Sequence, residues 1–329
     1  MKRRLLCLWT ATLALGVPAA AIAQGKRSVR VGVLTHLPRQ DPTAGTMLTR
    51  LGELGWSTGL FGSGNLKLEY QVADPGKTDV TPMAAALARA DCELIIAPNS
   101  VLALAAKAAA PSTPLVFLYA GDPVAAGLVR SMAEPGGNAT GVIWATPDSV
   151  GKLLELLKHV APPARRVAVM YGDAYRAVYE PLHGQLSTAA VAGGGTLQAL
   201  PIRTRQDVHA LDAQWARAPV DGLIVFLDSV TYEHKGEIVR LAALNRAPAV
   251  YASRFFVDAG GLLSYGINWS AAAIRTFEIA ARVLDGAKPA DIPVERVTQF
   301  ELLVNMKTAR ALRLTVPQSV MVQATEVIQ

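Results

Sequence analysis

The sequence predicts an α/β protein built as two doubly wound parallel-sheet lobes joined by a hinge. Short β-branched runs alternate with longer helical patterns, which is how parallel strands and their crossover helices read. The runs fall into two sets that repeat one another at near-constant spacing. The chain is also too long for one core, since 329 residues at roughly 100 to 200 per domain suggest about two units.

The expected strands of the first set are residues 29–34, 66–72, 93–97, 115–119 and 141–144. Those of the second are 166–171, 196–202, 222–227, 249–252 and 262–265. Arg30-Val-Gly-Val-Leu34 echoes Arg166-Val-Ala-Val-Met170, and Leu94-Ile-Ile-Ala97 echoes Leu223-Ile-Val-Phe226. Pro114-Leu-Val-Phe117 echoes Pro248-Ala-Val-Tyr251 in the same way. Val150, Leu153, Leu154, Leu157 and Val160 form one helical stripe, ended by Pro162 and Pro163. Ile274, Phe277, Ala281 and Leu284 form another, ended by Gly286 and Pro289. Both stripes read as core.

The first residues read as a secretory signal. Lys2, Arg3 and Arg4 precede an apolar run from Leu5 to Val17, and Ala21-Ile-Ala23 supplies a small-x-small cleavage pattern. Removal of residues 1–23 lowers the formal charge of +6 by three, so the basic balance is partly a property of the leader. No run of Lys and Arg with interleaved aromatics remains to mark a nucleic-acid surface. Cys92 is then the one cysteine left, beside an apolar run that suggests a core position.

The expected lobes are residues 24–145, completed by about 266–288, and residues 146–265. The segment 289–329 is expected to brace their junction, with a strand at 300–305 and a short helix at 307–314. Several crossings between lobes would make a hinge.

In an open parallel sheet, ligands sit beyond the carboxyl ends of the strands, where helix N-termini present unpaired N–H groups. The residues at or just past the ends of the expected strands include Thr35, Asn99, Ser100 and Asp122 in the first half, and Tyr171, Asp228 and Ser253 in the second. Ser100 suits an N-cap of a helix over 101–110, and Asp122 followed by Pro123 suits another. Asp228 differs, because no helical stripe begins at Ser229, and a carboxylate there can meet a ligand ammonium group. Hydroxyls and N–H groups of the opposite lobe would hold a carboxylate. An amino-acid-like solute suits such a cleft, with Tyr119, Tyr171 and Phe226 as candidate walls of a side-chain pocket.

Catalytic patterns are missing from the sequence. The five histidines are scattered, no Cys/His cluster has metal spacing, and no phosphate-binding or dinucleotide glycine motif follows the first strand. Ser264 lies one residue off a nucleophile elbow and reads as strand or hinge. No catalytic residue, cofactor or metal is expected. A secreted hydrolase on a two-lobe frame and a ligand-presenting subunit of a membrane sensor are the alternative readings.

Several longer stretches carry a family resemblance. They are Gly121-Asp-Pro-Val-Ala-Ala-Gly-Leu-Val129, Pro135-Gly-Gly-Asn-Ala-Thr-Gly141, Ser253-Arg-Phe-Phe-Val-Asp-Ala-Gly-Gly-Leu-Leu-Ser-Tyr-Gly266, Gly286-Ala-Lys-Pro-Ala-Asp-Ile-Pro293 and Phe300-Glu-Leu-Leu-Val-Asn-Met-Lys-Thr-Ala309. With them the chain resembles the periplasmic substrate-binding proteins of ABC transporters with the type I two-lobed fold. The resemblance implies a monomeric receptor in the periplasm that hands a small-molecule solute, largely an amino acid, to a membrane permease driven by a cytoplasmic ATPase. Two places depart from the family pattern. Gly172-Asp173 stands where relatives commonly have Asn-Pro, and the Thr35-His-Leu-Pro38 loop is unusual. Both border the expected cleft.

Overall fold

The computed structural model describes residues 26–37, 39–59, 63–76 and 79–329. The expected signal at 1–23 lies outside the described residues. Thirteen strands are described in chain order: β1 (Val29–Thr35), β2 (Leu66–Val72), β3 (Leu94–Ala97), β4 (Leu115–Ala120), β5 (Ala139–Ala145), β6 (Arg166–Gly172), β7 (Thr196–Ile202), β8 (Gly222–Val225), β9 (Ala249–Tyr251), β10 (Leu263–Ile267), β11 (Glu295–Arg296), β12 (Phe300–Asn305) and β13 (Glu326–Ile328).

They form two sheets, as the duplicated pattern predicts. The first has the order β11-β5-β4-β3-β1-β2 and the second β13-β12-β10-β9-β8-β6-β7. All pairs in the first sheet are parallel. The second departs from the parallel rule at one join, where β12 runs antiparallel to β10. Strands β3 and β4 are buried along their whole length. Helices cover both faces of such strands, which is why they read as unbroken apolar runs.

The chain passes between the sheets three times, after β5, after β10 and after β11. At the first passage Thr146 accepts the Ser149 N–H and Ser149 reaches back to the Thr146 N–H, a capping box that starts the Pro147–Val160 helix. At the second, the Asn268 side chain accepts the Ala271 N–H and starts the Trp269–Leu284 helix. That helix packs on the first lobe, against the Pro42–Glu53 helix and β3 to β5. Segment 289–329 supplies a strand to the first sheet and two to the second, so it is built into both lobes. Arg275 ties the returning helix to β11 through paired bonds to Glu295 at 2.6 and 2.7 Å.

Cys92 is buried, and burial pushes its thiol up to about 11, which keeps it protonated at neutral pH.

Candidate functional site

The carboxyl ends of β1 and β3 and those of β6 and β8 face a shared cavity of about 330 Å³. Its polar wall combines Thr35, Asn99 and Ser100 of the first lobe with Tyr175, Asp228 and Ser229 of the second. Its apolar wall is largely aromatic and includes Trp144, Tyr179, Tyr232, Phe255 and Trp269. That volume is within the roughly 300 to 1,000 Å³ usual for small-solute sites.

Local structure fixes each polar group. Asn99, rather than Ser100, caps the Ser100–Ala109 helix, its Oδ1 accepting the Val101 and Leu102 N–H groups at 3.0 and 3.4 Å. Ser100 is already the first residue of that helix. Its buried Oγ accepts the Ala120 N–H at 2.8 Å and so ties β4 to the helix start. Thr35 Oγ1 accepts the Leu37 N–H at 3.0 Å. His36 also lines the cavity, and its Nδ1 bonds the Ala73 carbonyl at 2.8 Å. Burial holds its imidazole below the usual histidine range, so at neutral pH it donates through Nδ1 and is uncharged.

Asp228 does begin a helix. The five-residue Ser229–Glu233 segment is capped by it, with Oδ1 accepting the Val230 and Thr231 N–H groups, both at 2.9 Å. Oδ2 accepts the Gly172 N–H from β6 at 2.8 Å. The side chain is only 6% exposed, and burial pushes its pKa up to about 6 against the pull of those N–H groups. Gly172 is required by this approach. A Cβ there would lie 2.8 Å from Asp228 Oδ1.

Three sequence candidates lie away from the cavity. Asp122 is exposed and caps a turn, accepting the Val124 and Ala125 N–H groups at 2.8 and 3.2 Å; no helix follows Pro123. Ser253 caps the short Arg254–Asp258 helix and is buried. Tyr171 is fully buried beside Tyr179, with ring centroids 6.0 Å apart. Tyr119 and Phe226 are likewise packing residues: Tyr119 meets Phe117 edge on, and Phe226 lies 4.7 Å from the Tyr179 ring. The aromatic wall comes instead from the crossover points, where Trp144 and Trp269 sit, and from the first turns of helices, which carry Tyr179, Tyr232 and Phe255. Position at a strand-to-helix passage marks Trp144 and Trp269 in the sequence, but not that the two converge on one cavity.

Polar contacts cross the cleft. Asn99 Nδ2 donates to Tyr175 Oη at 2.6 Å, and Tyr175 Oη lies 2.7 Å from Ser229 Oγ. Ser229 Oγ in turn lies 3.5 Å from the Pro75 carbonyl of the first lobe. Among the described residues no group of three or more His, Cys, Asp or Glu is placed to hold a metal ion, and no helix is long and apolar enough to cross a membrane.

A family model for ABC transporter substrate binding proteins matches residues 46–328. The chain is 26% identical over 292 residues to a tyrosine-binding protein of Clostridioides difficile, covering 87% of this chain and 81% of that one. Among solved structures, the domain from Streptococcus pneumoniae in complex with L-Trp aligns with a TM-score of 0.80 at 24% identity, over 92% of this chain and 100% of that one. The ligand-free, open structure of an adhesive substrate-binding protein from Clostridium difficile aligns at 0.61 and 26% identity, over 92% and 99%. With its two-sheet fold and interlobe cavity, the chain belongs to the ABC transporter substrate-binding protein family.

Proposed function

We propose that the protein binds an aromatic amino acid, unaltered, between its two lobes and delivers it to a membrane permease. The aromatic wall of the interlobe cavity carries this reading. Trp144, Tyr179, Tyr232, Phe255 and Trp269 offer flat apolar surface to a ring, which prefers edge-to-face or offset contact with such neighbours. Thr35 and Ser100 each keep a hydroxyl hydrogen to donate to the solute carboxylate, since in their bonds to the Leu37 and Ala120 N–H groups the oxygen is the acceptor. Asp228 accepts three N–H groups, and a carboxylate has about four acceptor directions, so one on Oδ2 is left for an ammonium group. The relatives support the ligand class: one is named for tyrosine and another holds L-Trp.

In this reading, residues 1–23 direct the chain to the periplasm, where it acts as a monomer.

The test is a thermal-shift screen of the mature protein against the amino acids, followed by calorimetry. An aromatic amino acid at ~100 times its Kd stabilises the fold by about 2.7 kcal/mol. Stabilisation by non-aromatic solutes alone would overturn the ligand class, and turnover of the bound solute would overturn the receptor role.

A further inference from the structure

The contacts from Asn99 to Pro75 have one consistent direction. Asn99 Oδ1 is committed to its helix cap, so Nδ2 faces Tyr175 and can only donate. Tyr175 Oη, accepting there, donates to Ser229 Oγ, and Ser229 donates to the Pro75 carbonyl, which can only accept. The relay leaves the first lobe at Asn99, runs through two hydroxyls of the second, and returns to the first at Pro75. Tyr175 is 2% exposed, so while these contacts join the two lobes, the shut form, its hydroxyl depends on these partners and not on water. The next residue, Gly76, also lies against the second lobe: a Cβ there would stand 2.9 Å from the Arg203 carbonyl.

We propose that Asn99, Tyr175, Ser229 and the Pro75 carbonyl form an interlobe latch through which the protein alone populates its shut form. Each bond is between neutral groups and is exchanged for water on opening, so the latch biases the equilibrium and does not lock it. Its longest link, from Ser229 to Pro75, is the weakest. A solute that binds the shut form then meets a site already assembled, and its apparent affinity rises with the fraction preassembled. The latch needs no solute, so its test is independent of which solute binds.

The experiment is double electron–electron resonance on protein dialysed from denaturant to strip bound solute, with spin labels at Gln40→Cys and Gln206→Cys on the two lobes. Both positions are exposed, whereas Cys92 is buried. The wild type should show a short-distance population. Tyr175→Phe keeps the ring, which stacks on Tyr179 at 6.1 Å, and should lower the ratio of short to long distances about tenfold. Ser229→Ala should lower it less, and it reads the same contacts should Tyr175→Phe fail to fold. A wild type showing only the long distance, or variants with an unchanged distribution, would overturn the proposal.

Discussion

Trp144 and Trp269 meet edge to face, their ring centroids 5.8 Å apart and their planes at 85°. Trp144 is the next-to-last residue of the first lobe's β5, just before the chain leaves, and Trp269 opens the helix by which it returns. The pair therefore stands at two of the three passages between lobes and also lines the cavity. A solute touching these rings touches the segments that must bend when the lobes move.

Trp269→Ala should weaken solute binding about tenfold by removing one wall of the ring pocket, and should abolish most of the tryptophan fluorescence change on titration. Calorimetry gives the affinity and fluorescence the reporter effect. Unchanged affinity with a full fluorescence response would place the solute away from this pair.

Asp228 predicts a pH dependence of definite sign. Its folded pKa, about 6, is above the ordinary 3.8, so the proton is held more tightly in the folded form. The resulting stabilisation is complete below pH 3.8 and is lost as pH rises through about 6. A shift of roughly two units corresponds to about 3 kcal/mol. Asp228→Asn removes this dependence, so the wild type's Tm advantage over the variant should be larger at pH 4 than at pH 7.5. A constant difference across that range would mean the carboxyl titrates normally.

Ser100→Ala tests whether the Ser100 hydroxyl holds the fold as well as a solute. It would leave the Ala120 N–H buried without its acceptor, which costs about 1 to 3 kcal/mol. Chemical denaturation of the protein without added solute reads that loss directly. Stability equal to the wild type's would show that the contact contributes nothing to folding.

The lobes were legible in the sequence because parallel strands buried on both faces leave short, β-branched apolar runs, such as Leu94–Ala97, which alternate with longer helical stripes and recur in two matching sets. The site was legible only in part. Thr35, Asn99, Ser100 and Asp228 border the cavity because they lie at or just after strand ends, a position set by local chain order. The helix after Asp228 has five residues, too few to show an apolar stripe, so its capping role was hidden. Pro123 suggested a helix, but the chain turns at Gly127 with φ of 73°, a left-handed conformation that glycine adopts without strain. The aromatic wall depends on which crossover points converge in space, and short-range pattern carries no such information.

Gly172→Ala should cost about 1 to 3 kcal/mol of stability, because the added methyl meets packed atoms with little room to yield. The new Cβ would lie 2.8 Å from both Asp228 Oδ1 and Val230 Cγ2. Val230→Ala removes one of those obstacles. The double variant should therefore lose less stability than the two single losses combined, a coupling that a double-mutant cycle on denaturation midpoints resolves. Additive losses would mean that the strand end shifts as a unit and the methyl finds space elsewhere. The close approach of Asp228 gives a physical reason for the glycine at the end of β6: only a residue without a side chain leaves its N–H open to that carboxylate at 2.8 Å.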